Sequence, residues 1–137
     1  MKRILVVDDE MLIRKFFPRA LKFDNVEVMT AATLTEAKQL IDEYAFELVL
    51  TDLSLDGSEG EQGFEVITYA KSKSSGTSVI LMTGYGSRRV EKKVSELGAD
   101  FYLEKPVDIN LLMDKAAEYC LLDDNAYSGR EAKRVSN

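Results

Sequence analysis

Chemistry-bearing side chains follow the apolar runs of this chain: Asp8 and Asp9 after Ile4-Leu5-Val6-Val7, Asp52 after Leu48-Val49-Leu50-Thr51, Thr83 after Val79-Ile80-Leu81-Met82, and Lys105 after Phe101-Tyr102-Leu103-Glu104. Three carboxylates brought together repel one another, and burying them unpaired is costly. A hard divalent cation relieves that repulsion. Mg²⁺ takes one or two carboxylates, keeps several waters and accepts phosphate oxygens. Lys105 offers a point charge to a phosphate oxygen, and Thr83 offers a hydroxyl donor to a second one. Beside them Asp52 can serve as a nucleophile, since carboxylates of this kind form aspartyl phosphates. The cation and Lys105 would stabilise charge on the transferring group. Taken singly, Asp9 reads as a helix cap, Thr83 as a turn residue and Lys105 as a solvated surface charge. Their recurrence at the ends of four separate runs is what argues for a site.

The elements that must carry these residues are legible in the periodicity. Arg3–Asp8 reads as a buried strand, continuous and rich in β-branched residues. Residues 10–22 follow with helical spacing, Ile13, Phe16, Phe17, Ala20 and Leu21 forming the inward face. Val26–Thr30 is a short second strand. Thr33 with Glu36 three residues later forms a capping box for a helix to about Tyr44. Residues 47–51 form a third strand ending at Asp52, and a loop from Ser54 to Gly63 leads to a helix with Phe64, Ile67 and Ala70 inward. Residues 78–82 make the fourth strand, and Gly84-Tyr85-Gly86 a flexible turn. A helix over 87–97 carries Val90, Val94 and Leu97 inward and ends at Gly98. Residues 100–104 make the fifth strand, and Asp108 caps a last helix to about Leu122. Alternating apolar strands and helices imply a parallel sheet covered on both faces, and right-handed crossovers make it a doubly wound α/β fold. In such a sheet, function gathers outside the carboxyl ends of the strands, where the acidic residues, Thr83 and Lys105 fall.

Composition narrows the functions available. A chain of 137 residues, 45% hydrophobic and 31% charged, holds one domain with a core of its own. Residues 1–122 read as that domain, and 123–137, polar and aperiodic, as a tail or linker. The absence of His removes imidazole acid–base chemistry and most zinc or haem sites. A net charge of −6 argues against nucleic-acid binding. The four-residue apolar run near the N-terminus is neither a signal peptide nor a membrane span. Cys120, the single cysteine, reads as a small buried hydrophobe, and its lack of a partner implies a reducing, cytoplasmic setting.

Four segments closely resemble the receiver domains of bacterial two-component response regulators: Ile4-Leu5-Val6-Val7-Asp8-Asp9-Glu10, Leu48-Val49-Leu50-Thr51-Asp52-Leu53, Ile80-Leu81-Met82-Thr83-Gly84-Tyr85, and Gly98-Ala99-Asp100-Phe101-Tyr102-Leu103-Glu104-Lys105-Pro106. The resemblance covers about residues 2–122. It implies the flavodoxin-like (βα)5 fold with strand order 2-1-3-4-5. It also implies phosphorylation on Asp52 by a histidine kinase or histidine phosphotransfer protein, and control of a downstream protein or output domain. Asp8 and Asp9 match the acidic pair that holds Mg²⁺ (or Mn²⁺), Asp9 being favoured as the direct ligand. Asp52 and the main-chain carbonyl of Ser54 match the remaining protein ligands. Thr83 and Lys105 match the hydroxyl and ammonium that contact the phosphoryl group. Tyr102 matches the aromatic residue that turns inward as Thr83 moves, and the Lys105–Pro106 bond matches a cis peptide. Such a domain catalyses only its own phosphorylation and dephosphorylation.

Three features depart from the usual pattern. The loop after Asp52 is long, lacks proline, and is made acidic by Asp56, Glu59 and Glu61; it reads as a solvated surface loop. Pro18 lies inside the first helix, where a kink is expected, and Met11, Leu12, Lys15 and Pro18 face outward as a surface for a donor's helices. Arg88, Arg89, Lys92 and Lys93 form a basic ridge suited to an acidic partner. Two other functions compete. A Mg²⁺-dependent phosphohydrolase would want a second Asp two residues after the nucleophile, where Ser54 stands. A degenerate receiver that only binds partners would not need Asp8, Asp9, Asp52, Thr83 and Lys105 together.

Overall fold

The computed structural model describes residues 1–55, 60–84 and 86–120. Strand and helix alternate as β1 (Lys2–Val7), α1 (Met11–Ala20), β2 (Val26–Ala31), α2 (Leu34–Glu43), β3 (Leu48–Asp52), α3 (Gln62–Lys73), β4 (Ser78–Thr83), α4 (Arg88–Glu96), β5 (Phe101–Glu104) and α5 (Ile109–Cys120). The strands form one parallel sheet in the order β2-β1-β3-β4-β5. This is the doubly wound, flavodoxin-like arrangement expected from the sequence. Tyr85, the loop residues Asp56 and Glu59, Leu121 and Leu122, and the 123–137 tail lie outside the described residues.

Two cores form because neighbouring residues on a strand point to opposite faces. Ile4, Val6, Leu48, Leu50, Ile80 and Met82 pack under α1 and α5, against Phe17, Leu21, Leu112 and Ala116. Leu5, Val7, Val49, Val79 and Leu81 pack under α2, α3 and α4. Burial of each such aliphatic side chain contributes about 1.5–3 kcal/mol. The central strands are continuously apolar because helices cover both sides of them.

Local signals hold the helices in place. The Thr33 hydroxyl accepts the Glu36 N–H at 3.1 Å, and the Glu36 carboxylate accepts the Ala32 N–H at 2.9 Å, one residue before the Thr33 N–H of an ideal capping box. Asp108 Oδ1 accepts from Asn110 N–H at 3.0 Å at the start of α5. Gly98, with φ +90°, ends α4. Asp100, just before β5, accepts the Val79 N–H at 2.9 Å and the Lys71 ammonium at 2.9 Å, which ties β5 to β4 and α3. The Lys105–Pro106 peptide is cis.

Helix α1 differs from expectation in two respects. It ends at Ala20 rather than Lys22. Pro18 stands in its last turn and removes an N–H from the helical ladder. Phe16, expected inward, is 54% exposed, and with Met11 and the 74%-exposed Leu12 it leaves an apolar outer surface. Only Phe17 of this helix is fully buried. A run of apolar residues at helical spacing made the inward stripe look wider than the sheet can cover. Cys120 is buried, and burial pushes its thiol up to about 11, as expected of a packing residue. Among the described residues, no helix is long and apolar enough to cross a membrane.

Candidate functional site

Strand register brings the candidate residues into one row. Val7 lies opposite Thr51, so Asp8 continues β1 beside the end of β3 at Asp52. Asp52 lies opposite Met82, which places Thr83 one residue further along β4. Thr83 lies opposite Glu104, and the Lys105 N–H donates to the Thr83 carbonyl at 2.8 Å. Parallel pairing thus turns positions spread over most of the chain into neighbours at one edge.

Lys105 is the positive centre of that edge. Its ammonium lies 2.8 Å from Asp8 Oδ2, 3.3 Å from Glu10 Oε1 and 3.5 Å from Asp52 Oδ2. Asp8, Asp9 and Asp52 each direct a carboxylate oxygen to within 4.8 Å of the others. Asp8 is wholly buried and Asp52 is 7% exposed. Burial, then the charge of Asp8, raises Asp52 to about 6 against the opposing pull of Lys105. Burial likewise raises Asp8, although Lys105 and the Glu10 main chain lower it. Burial works against the Lys105 charge, but its bond to Asp8 and the charges of Asp8, Asp52 and Glu10 outweigh it, so its pKa is raised. Converging oxygens that repel when charged fit a hard divalent cation, which supplies the charge that one lysine cannot.

A cavity of about 290 Å³ opens over the row, lined by Glu10, Asp52, Ser54, Thr83, Gly84 and Lys105. Ser54 is held by its hydroxyl, which donates to the Gly60 carbonyl at 2.9 Å. Helix α3 is clamped to the same corner, since the Gly63 N–H donates to the Leu53 carbonyl at 2.7 Å. A Cβ on Gly63 would lie 2.3 Å from the Asp52 carbonyl oxygen, so only glycine allows this approach. Two participants were missed from the sequence, Glu10 and Gly63. Adjacency to Asp8-Asp9 was the available signal for Glu10; no local signal marked the backbone contact of Gly63.

Tyr102 lies to one side of the row, opposite Leu81, half-buried against the core under α4. Its hydroxyl is buried and makes no hydrogen bond of good geometry among the described residues. Burial, then Glu104 and Glu91, raises its pKa, with the Ser87 main chain opposing them. On α4, Arg88, Arg89, Lys92 and Lys93 are all exposed. Arg89 is engaged by Glu61 ahead of α3, one of its two contacts being 3.4 Å.

The sheet order and the acidic corner define a flavodoxin-like α/β module with an acidic site at the carboxyl edge of its sheet. The chain belongs to the response regulator receiver domain family, whose model matches residues 4–117, and it is a receiver domain of two-component signalling. A receiver domain protein from Methanospirillum hungatei, described as CheY-like, superposes with a TM-score of 0.78 at 36% identity, covering 86% of this chain and 92% of that one. The response regulator PilR of Pseudomonas aeruginosa is 32% identical over 85% of this chain, which spans 25% of that protein's length. Sporulation initiation phosphotransferase F of Bacillus subtilis is 29% identical over 90% of this chain and 98% of its own.

Proposed function

We propose that this receiver domain accepts a phosphoryl group on Asp52 from a histidine kinase or histidine phosphotransfer protein. The observation that carries the reading is the convergence of the Asp8, Asp9 and Asp52 carboxylates beside a cavity lined by Asp52, Ser54, Thr83 and Lys105. Asp8, Asp9, Asp52 and the Ser54 carbonyl would hold a Mg²⁺ ion, or Mn²⁺ in its place, which would neutralise charge on the incoming phosphoryl oxygens. An Asp52 carboxylate oxygen attacks phosphorus. The bond from phosphorus to the donor's imidazole nitrogen breaks, its electron pair stays with the nitrogen, and an acyl phosphate forms. Lys105, already 3.5 Å from Asp52, turns its charge to a phosphoryl oxygen. Thr83 donates its hydroxyl to another, and Tyr102, whose hydroxyl is already buried, is held inward, favouring one of two packings of α4. Ser54 in place of a second aspartate argues against turnover of external phosphoesters, so the reaction is confined to the domain's own Asp52.

The exposed α1 surface suits the donor. Phe16, Ile13, Pro106, Val107 and Ile109 line an apolar groove of about 500 Å³ that reaches Lys105, and Leu12 stands beside it on the same helix. A donor helix seated there would carry its imidazole toward the cavity. The basic face of α4 suits an acidic downstream protein or output domain, and the setting is cytoplasmic. Intact-mass spectrometry after incubation with acetyl phosphate and Mg²⁺ tests the reaction. One phosphoryl adduct is expected on the wild type and none on Asp52→Asn; an adduct that persists in the variant or forms equally well in EDTA contradicts the assignment.

A further inference from the structure

We infer that Gly86 is a positioning residue for Tyr102: by having no side chain it leaves the space that the inward Tyr102 hydroxyl fills. This rests on the proposed switching role of Tyr102 and assigns a determinant of it outside the phosphorylation cavity.

A Cβ built on Gly86 would lie 2.1 Å from the Tyr102 hydroxyl oxygen and 2.9 Å from Glu104 Oε1. No real Cβ approaches an oxygen that closely, so a methyl group and the inward hydroxyl exclude one another. Backbone conformation does not explain the glycine. Among the described residues the glycine with positive φ is Gly98. What glycine provides at position 86 is room. Neighbouring Gly84 gives the contrast, since a Cβ there meets nothing within 4 Å.

The position of residue 86 is fixed from the far side. Ser87 caps α4, its hydroxyl accepting the Val90 N–H at 3.1 Å, and Val90 is buried in the core that Tyr102 packs against. The main chain before the cap therefore yields less readily than the side chain opposite. Both obstructing groups are the far ends of side chains, so a methyl at 86 displaces Tyr102 and leaves the fold intact. The displaced ring turns out to solvent, where its hydroxyl gains the hydrogen bonds it lacks inside. If inward Tyr102 is the phosphoryl-competent packing, a methyl at 86 depletes that packing and weakens every ligand that selects it.

The test uses protein with ¹³C-labelled tyrosine, whose six residues give few ring signals. Wild type, Gly86→Ala, Gly84→Ala, Tyr102→Phe and the Gly86→Ala/Tyr102→Phe double variant are compared. The ring signal of Tyr102 is assigned by its loss in Tyr102→Phe. It is expected to move to a solvent-exposed position in Gly86→Ala and to stay put in Gly84→Ala. Binding of Mg²⁺–fluoroberyllate, a phosphoryl mimic, is followed by ¹⁹F NMR. Gly86→Ala should weaken it about tenfold in the Tyr102 background, the loss expected when the competent fraction falls by that factor, but less than about twofold once Tyr102 has lost its hydroxyl. A Tyr102 signal unmoved by Gly86→Ala, or an equal loss of affinity in both backgrounds, overturns the inference. Failure of the wild type to bind fluoroberyllate would count against the phosphoacceptor reading, while the ring signals still decide the role of Gly86.

Discussion

Replacing Asp52 by Asn should make the metal-free domain more stable at neutral pH. Burial and the neighbouring Asp8 raise the Asp52 carboxyl from 3.8 to about 6. Between those values the folded chain holds a proton there that the unfolded chain releases. Stability therefore falls as pH rises through this window, and the penalty is complete above about pH 7. At about 1.4 kcal/mol per decade of acidity constant, the charged carboxylate costs the folded state about 3 kcal/mol. The attraction of Lys105 is already contained in that figure, because it opposes the rise. Asparagine keeps the shape and removes the charge. Urea denaturation in EDTA should show the variant about 2–3 kcal/mol more stable at pH 7.5, or about 5–10 °C higher in Tm. The difference should shrink to about 1 kcal/mol at pH 4.5 and vanish only below about pH 3.8, where the carboxyl is protonated in the unfolded chain as well. A variant no more stable than wild type at pH 7.5, or a gain independent of pH, would refute the electrostatic account of the site.

Three further outcomes follow from the same geometry. Lys105→Ala leaves the buried Asp8 and Asp52 without their cation, and should cost about 3 kcal/mol at pH 7.5 and less at pH 5 in the same denaturation assay. Mg²⁺ at about a hundredfold excess over its Kd should stabilise the wild type by about 2.7 kcal/mol; in Asp9→Asn a calcium-free Mg²⁺ titration followed by thermal unfolding should show that gain lost or displaced at least about tenfold in concentration. Gly63→Ala drives a methyl into the main chain of Asp52 and Leu53, and should destabilise by at least about 2 kcal/mol, whereas Gly76→Ala, whose Cβ would meet only Ser74 Oγ at 3.8 Å, should be near neutral by calorimetry.

Some of this was readable from the chain and some was not, for physical reasons. Strands β1, β3 and β4 announce themselves because a parallel strand covered on both faces needs an unbroken apolar run. The site residues follow, because each stands at the carboxyl end of such a run. Thr33, Gly98 and Asp108 declare helix ends by local chemistry. Phe16 was misplaced because periodicity reports spacing and not how much of a helix the sheet can cover. Glu10 was passed over as an ordinary residue at a helix start, its contact with Lys105 depending on strands far apart in sequence. Gly63 and Gly86 carry no sequence mark of their own. Their roles depend on what approaches them through space, which only the packed structure reveals.

The pairing of Lys105 with Asp8 joins residues 97 positions apart. At synthesis rates of about 5–20 residues per second, their emergence is separated by about 5–20 s. Once β3 has been made at Asp52, β1 and β3 are available to pair and gather Asp8 and Asp52 for the rest of that interval, while the Lys105 ammonium has yet to be made. A sheet closed early would carry concentrated negative charge at its functional edge, and the cost is greatest at neutral pH. The last strand therefore delivers charge balance as well as an edge. A nascent or truncated chain ending before β5 would carry its acidic corner without Lys105, and protons or a divalent cation would relieve the repulsion there.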